Sequence, residues 1–145
     1  MPLNPHFPVV SGTYQLTKRW AMTLPVSLNR RSEDGQMVLW RPGFTIWISI
    51  WNNDKNETVE ERLKWIESDA SPAAFEKQLV RGGDLARLSY RLNEEKERGA
   101  KVYTLYSYTI GSDGHVQAAF YFDKEWDIQL ARQIHASFVM KESPE

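Results

Sequence analysis

The stretch Phe44-Thr45-Ile46-Trp47-Ile48-Ser49-Ile50-Trp51 decides the fold, because it has the clearest strand pattern in the sequence. Successive side chains of an extended strand point to opposite faces. The first face of this strand is apolar and carries Phe44, Ile46, Ile48 and Ile50. The other face alternates small hydroxyl side chains with two indoles, Trp47 and Trp51. We expect the first face to belong to the core, and the second face to need a cover or a partner.

The segments around this strand carry turn and helix signals. Two turns precede it, at Asp34-Gly35 and Pro42-Gly43, and these pairs supply the backbone angles that tight connections require. They predict an antiparallel meander that ends in the strand quoted above. After a polar loop, Thr58 and Glu61 have the spacing of a capping box, which predicts a helix over about 59–69.

The rest of the chain alternates strand-like runs with turns and ends in a second helix. Strand patterns occur at 76–80, 85–92, 102–110 and 116–122. Strands joined by short loops are expected to be antiparallel neighbours. An amphipathic helix is predicted over about 124–139, from apolar residues at helical spacing, which are Trp126, Leu130, Ala131, Ile134 and Phe138.

These elements predict the α+β class, with a mainly antiparallel sheet of about six strands covered by two amphipathic helices, at about 59–69 and 124–139. The length of 145 residues is that of one domain, so we expect a single domain over 1–145.

Prolines and the chain ends add detail to this prediction. Three prolines predict an extended N-terminal arm over 1–12; they are Pro2, Pro5 and Pro8. Pro25 is expected to end a strand at 13–24 or to place it at a sheet edge. Residues 140–145 are expected to form a flexible tail.

The composition narrows the class of partner. Hydrophobic residues make up 41% and charged residues 26%, which is typical of a globular domain. Eighteen basic and nineteen acidic residues give a net charge of -1, so we expect neither a nucleic-acid partner nor a membrane-bound role. The first residues lack the pattern of a signal peptide, and the chain contains no cysteine. We therefore expect a soluble cytoplasmic protein.

No motif predicts catalysis, a metal or a cofactor. The three histidines, His6, His115 and His135, do not stand at metal-ligand spacing. The turn at 111–114 joins two predicted strands rather than opening a helix, so it is not a phosphate loop. We therefore predict no catalytic residue, no metal site and no cofactor. Residues that converge only in three dimensions, such as a Ser-His-Asp triad, stay open.

The candidate site is a partner-binding surface formed by Trp47 and Trp51, with contributions from Trp40, Trp65, Arg87 and Arg91. Two exposed indoles would offer roughly 300–500 Å² of apolar surface, as much as the largest patch on a typical monomer. Alternatively, a helix, the N-terminal arm or a second copy of the chain covers them. The two arginines either stack on rings and hold a partner's carboxylate, or are solvated strand residues.

The order of elements from about Tyr14 to Phe138 resembles the family built on the fold of PsbP, the extrinsic photosystem II protein. Local patterns that carry the resemblance are Trp20 through Leu24-Pro25 and the closing Ala-Arg-Gln-Ile-His-Ala-Ser-Phe at 131–138. Members of that fold serve as assembly factors, small-GTPase binders and chaperones for secreted bacterial toxins. The resemblance implies a binding module rather than an enzyme. It assigns no functional residue, because no position here matches a functional motif.

The leading functional hypothesis is a small protein-binding or adaptor module, chaperone-like, that uses its aromatic sheet face. The alternative is a small apolar-ligand-binding protein or an enzyme whose pocket the same rings line. A flat, open face would favour a protein partner, and an enclosed cavity would favour a ligand. A third possibility is self-association through this face.

Overall fold

The structure, a computed structural model, describes residues 3–95 and 99–141 of the chain. Within these residues ten strands form one antiparallel sheet, with two α-helices packed on it. The strands are β1 (Val9–Gln15), β2 (Trp20–Glu33), β3 (Gln36–Arg41), β4 (Phe44–Asn52), β5 (Phe75–Gly82), β6 (Leu85–Arg91), β7 (Glu94–Glu95), β8 (Lys101–Gly111), β9 (Gly114–Phe122) and β10 (Val139–Met140). The helices are α1 (Val59–Asp69) and α2 (Ile128–Ala136), and a 3-10 turn, Glu125–Asp127, precedes α2.

The strand order is β1-β2-β3-β4-β9-β8-β6-β5, with β10 paired to β2 and β7 paired to β8. The meander from β2 to β4 is confirmed. Its first turn has positive φ at both Asp34 (52°) and Gly35 (80°), the backbone of a type I′ hairpin, and Gly43 has φ 79°. The long-range pairing of β4 with β9 then joins this meander to the strands of the second half of the chain.

The predicted fold class, with about six strands covered by two amphipathic helices, is wrong. The helix predicted at about 59–69 is confirmed as α1, whose capping box is formed by Thr58 and Glu61. The helix predicted over 124–139 is reduced to the nine residues of α2. It starts late because the chain first makes a 3-10 turn, and it ends early because Val139 pairs with Ala21 as β10. Trp126, predicted on the apolar stripe, is 72% exposed.

Much of the remaining difference lies at the N-terminus. β1 begins at Val9, inside the predicted arm, and β2 continues through Pro25 to Glu33. Pro25 is tolerated because it lies opposite an irregularity of β1 and because β2 pairs with β3 only from Asn29 onward. At the other end, Met140 belongs to β10, and residues 142–145 of the predicted tail lie outside the described residues.

The register of the strands sorts the side chains of the sheet into two faces. The first face carries the main core and is covered by α2. Its fully buried members include Met22, Leu24, Leu28, Leu39, Phe44, Ile46, Ile48, Leu105, Phe120 and Phe122, packed against Ala131, Ile134 and Phe138. The burial predicted for the apolar face of β4 is thus confirmed for Phe44, Ile46 and Ile48, while Ile50 is 37% exposed.

The second face is covered only in part. Leu63 and Ile66 of α1 pack on its β6 and β8 side, where they form a smaller core with Ala86, Leu88 and Ile110. On β3, β4 and β9 this face carries half-buried side chains, which are Trp40, Thr45, Trp47, Ser49, Gln117 and Tyr121. In the part of the chain that the structure describes, no helix is long and apolar enough to cross a membrane.

Candidate functional site

Two cross-strand rows build the open part of the second face. One row runs Arg31, Val38, Trp47, Ala119, Tyr106 and Tyr90, and the next runs Asn29, Trp40, Thr45 and Tyr121. We call Trp40, Trp47, Tyr106 and Tyr121, together with Arg31, the aromatic platform. Neighbouring strands are about 4.8 Å apart, so the rings from β3 to β8 span about 14 Å across the sheet.

Arg31 lies between the two indoles of the platform. Its guanidinium carbon is 4.6 Å from the ring centroid of Trp40 and 5.7 Å from that of Trp47. Cations at this distance from an indole face are attracted by its quadrupole. Glu33 forms an ion pair of 3.0 Å with the same guanidinium. These contacts hold Arg31 in place between two half-buried rings.

The N-terminal segment borders the platform at Trp40. The Phe7 ring meets the Trp40 ring edge-on at a centroid distance of 5.0 Å. Buried Asn29 holds this segment, because its Oδ1 accepts a 2.8 Å hydrogen bond from Asn4 N and its Nδ2 donates to Asn4 O at 2.9 Å. The N-terminal segment therefore packs against Trp40, whereas the cover considered from the sequence concerned Trp47 and Trp51.

The tyrosines at the other side of the platform are linked by their hydroxyls. Tyr106 donates to the Glu94 carboxylate, and its oxygen lies 3.1 Å from that of Tyr121. Burial, followed by the bonds to Glu94 and Tyr121, raises the pKa of Tyr106, and burial raises the pKa of Tyr121. Both hydroxyls are therefore neutral hydrogen-bonding groups at physiological pH rather than nucleophiles.

A shallow hollow of about 390 Å³ opens between these rings. It exists because Ala119, 7% exposed, is the small residue that separates Trp47 from Tyr106 in their cross-strand row. The lining residues are Gln36, Trp47, Ser49, Tyr106, Gln117, Ala119 and Tyr121. The hollow combines ring faces with amide and hydroxyl groups, so it offers both apolar contact and hydrogen bonds.

Trp51 and Trp65 belong to a second site, at the edge where α1 meets the sheet. The Trp51 ring is 50% exposed and parallel to the ring of buried His115, at an angle of 9° and a centroid distance of 5.7 Å. The Trp65 ring meets the same imidazole edge-on at 5.7 Å, and the Tyr108 ring lies 6.1 Å away. We call the hollow between these rings the Trp51–Trp65 pocket; its volume is about 180 Å³ and its lining comprises Trp51, Trp65, Ile66, Asp69, Tyr108, His115 and Gln117.

Behind this pocket Arg62 and His115 form a buried pair. Nη1 of Arg62 lies 2.9 Å from Nδ1 of His115, and Nη2 donates to Asn52 O at 3.0 Å and to Asn53 Oδ1 at 3.1 Å. Glu57 adds an ion pair at 3.4 Å. Burial, and then the positive charge of Arg62, lower the pKa of His115 to about 4. His115 is therefore neutral at pH 7.

A larger hollow of about 400 Å³ adjoins the pocket on its loop side. Its lining residues are Trp51, Asn52, Asp54, Lys55, Glu57, Arg62 and Trp65. Charges of both signs line it. This distinguishes it from the Trp51–Trp65 pocket, where Asp69 is the one charged side chain among the lining residues that the structure describes.

The structure sorts the predicted site residues into three places. It brings Trp40 together with Trp47, and Trp51 together with Trp65. Trp47 and Trp51 are four residues apart on β4, at about 3.3 Å per residue, so about 13 Å separates the two pairs. Arg87 and Arg91 join neither group, because the strand register places them on the first face.

These two arginines make structural contacts instead. Arg87 Nη1 donates to Phe138 O at 2.7 Å. Arg91 is buried; its Nε donates to Thr104 O at 2.9 Å and its Nη1 forms an ion pair of 3.1 Å with Glu76.

The sequence interpretation missed Arg31, Arg62, His115, Tyr106 and Tyr121. Arg62 had a usable signal, because it stands on the apolar stripe of α1, between Val59 and Ile66. Arg31 had none, since only the pairing of β2 with β3 and β4 brings it to Trp47. Among the described residues no group of three or more His, Cys, Asp or Glu side chains could hold a metal ion.

No protein-family model matches this sequence, and no curated protein matches it. A solved protein from Bacteroides thetaiotaomicron VPI-5482, determined at 1.50 Å resolution, is similar in structure, with a TM-score of 0.64 and 17% sequence identity. The similarity covers 93% of this chain and 50% of that chain, so this chain spans half the length of the Bacteroides protein. At this identity the likeness shows a shared fold only. It does not bear on the resemblance to the PsbP family, which stays a prediction.

Proposed function

We propose that this protein is a binding module that recognises a protein partner through the aromatic platform. One observation carries the proposal: the second face of β3, β4 and β9 is left partly exposed by both helices, and Arg31 is held there between Trp40 and Trp47. Trp, Tyr and Arg are the residue types most enriched at the energetic centres of protein interfaces.

The size of the platform favours a protein over a small ligand. An aromatic side chain buries on the order of 150–250 Å² when fully covered, so four rings that are each at most about a third exposed offer roughly 200–350 Å², and a standard interface takes about 800 Å² from each partner. The polar groups around the rings can supply the rest of the contact area, as a hydrogen-bonding rim. A partner that inserts one apolar side chain into the hollow above Ala119 would contact Trp47, Tyr106 and Tyr121 together.

The alternative, a site for a small apolar ligand, receives less support. Five of the seven residues around the hollow present polar groups, and the hollow is open to solvent; these five are Gln36, Ser49, Tyr106, Gln117 and Tyr121. Gln36 already donates to Ser49, and Tyr121 is bonded to Tyr106, but an apolar ligand would still remove water from the polar groups that face the hollow. We further propose a cytoplasmic location, which the absence of cysteine supports.

The test uses a display library of random linear peptides panned against the purified full chain, followed by affinity measurement for an enriched peptide. Ala119→Leu fills the hollow without removing a ring, and Trp47→Ser removes one anchor. Trp126→Ser is the matched control, because Trp126 is an exposed indole outside the platform. We expect losses of about tenfold or more for the first two variants and none for the control.

Two results would contradict the proposal. One is an affinity that folded Ala119→Leu and Trp47→Ser variants leave unchanged. The other is a dimer of the wild-type chain in light scattering that Ala119→Leu dissociates, which would assign the platform to self-association.

A further inference from the structure

The Trp51–Trp65 pocket brings several sources of negative potential to one hollow. Its walls are the rings of Trp51, Trp65 and Tyr108, which all contact the same buried imidazole, that of His115, at 5.7–6.1 Å between centroids. The faces of aromatic rings attract cations, and indole attracts them most strongly. Because His115 is itself neutral, it adds no positive charge to the pocket.

Asp69 supplies a formal negative charge at this pocket. Across residues 3–95 and 99–141 no ion pair or hydrogen bond involves its side chain, and its charge contributes to the raised pKa of Tyr108. Asp69 is also the last residue of α1, whose final turn contains no basic residue. The negative end of a helix dipole disfavours a carboxylate. A cation at the mouth of the pocket would reduce this unfavourable interaction between the Asp69 carboxylate and the helix dipole.

One positive charge lies behind the pocket, on Arg62, whose Nη1 is 2.9 Å from His115 Nδ1. Arg62 lies 5.8 Å from the Trp65 ring, but it is buried, is paired with Glu57, and lines the larger hollow together with Lys55. Glu57 offsets the charge of Arg62, so the charge that the described lining of the pocket itself presents to a ligand is that of Asp69. The volume of about 180 Å³ also suits a compact group, since cavities of about 150 Å³ hold a molecule the size of benzene.

We propose that the Trp51–Trp65 pocket binds a methylated ammonium group, with Trp51, Trp65 and Tyr108 around the cation and Asp69 as its counter-ion. The group belongs either to a free small molecule or to a methylated lysine side chain of a peptide. This site is separate from the aromatic platform and does not depend on the function proposed for it.

The experiment is calorimetric titration of the full chain with choline and with its neutral isostere, 3,3-dimethylbutan-1-ol. The two have nearly the same shape, so their difference reports the charge. We expect choline to bind at least about tenfold more tightly. A peptide carrying trimethyl-lysine and the same peptide with unmodified lysine form a second pair, which separates the two sources of the group.

Variants test whether the cation binds in the Trp51–Trp65 pocket. Asp69→Asn and Trp51→Leu are expected to weaken binding of the tighter cation severalfold, with circular dichroism as the folding check. Asp54→Asn is the matched control, because Asp54 lines the larger hollow and not the pocket. Trp47→Ser is expected to leave cation binding unchanged, so a failed platform and a failed pocket can be distinguished. Equal affinity for choline and its isostere, together with equal affinity for the two peptides, would overturn the proposal. So would cation binding that is unchanged by Asp69→Asn.

Discussion

Arg62 Nη1 lies 2.9 Å from His115 Nδ1, and this contact fixes the protonation of the imidazole. A guanidinium can only donate, so Nδ1 must accept and the proton of the neutral ring must be on Nε2. Protonation of Nδ1 would place two positive charges in contact inside the protein. The pair thus links α1 to β9 only while His115 is neutral.

A loss of stability in mild acid follows from this contact. The pKa of His115 is about 4 in the folded protein and 6.5 for an unperturbed imidazole, so the unfolded chain binds more protons between these values. Stability is therefore complete above about pH 6.5 and falls as the pH drops toward 4, by on the order of 3 kcal/mol for this residue. His135, whose pKa burial also lowers to about 4, adds a loss of the same sign.

The variant His115→Gln isolates the contribution of His115 to this loss of stability in mild acid. Its amide oxygen can still accept from Arg62 but cannot be protonated. We expect denaturant titrations between pH 7.5 and 4.5 to show a pH slope that is smaller by about one proton than in the wild type. A slope equal to that of the wild type would mean that His115 is protonated freely in the folded state.

Replacement of Arg62 by Met should be strongly destabilising. The change keeps the apolar stem but leaves the Asn52 carbonyl, Asn53 and Glu57 without the donor that they share. Breaking a buried charged network typically costs about 3–5 kcal/mol. Chemical denaturation would measure this cost. Arg81→Met serves as control, because the pair of Arg81 with Glu60 is exposed and such pairs contribute about 0–1 kcal/mol.

Gly114 cannot be replaced by a residue with a side chain without local rearrangement. Its φ is 127°, and a Cβ at this position would lie 1.8 Å from the carbonyl oxygen of Trp51. We expect Gly114→Ala to cost about 3 kcal/mol or more in the free energy of unfolding. Gly82→Ala is the control, since a Cβ there meets nothing within 4 Å. Similar melting temperatures for the two variants would refute the expected clash.

Arg31→Gln should separate binding from stability. Its ion pair with Glu33 is partly exposed, and its contacts with Trp40 and Trp47 are each worth about 0.5–1 kcal/mol. We therefore expect thermal unfolding to change by only a few degrees. Affinity for a platform-binding peptide should fall by more than this small loss of stability would cause, because Arg31 contacts both indoles of the platform, Trp40 and Trp47. An affinity equal to that of the wild type would exclude Arg31 from the interface.

The parts of the fold that could be predicted are those encoded by neighbouring residues. The alternation in β4 predicted which side chains face the core, and Thr58 with Glu61 predicted the start of α1. The number of strands could not be predicted in this way. β10 has only two residues and exists because β2 lies beside it, and β2 passes Pro25 because of pairings far away in sequence.

The candidate site shows the same division. The pattern Phe44 to Trp51 predicted that Trp47 and Trp51 share a face, and they do. It could not predict that Trp51 lies against His115, because residues 51 and 115 meet only through the pairing of β4 with β9. The arginines were assigned to the wrong side for the same reason, since the face of Arg87 depends on the register of β6 against β8.

The pairing of β4 with β9 also bears on how the protein folds. β2 to β4 form by local hairpins, as do β5 with β6 and β8 with β9, whereas β4 and β9 must find each other across more than sixty residues of chain. Closing so long a loop is slow relative to hairpin formation. Trp47 and Trp51 both lie on this seam. Neither the aromatic platform nor the Trp51–Trp65 pocket can therefore exist in half of the chain, and both arise only in the step that joins the two halves.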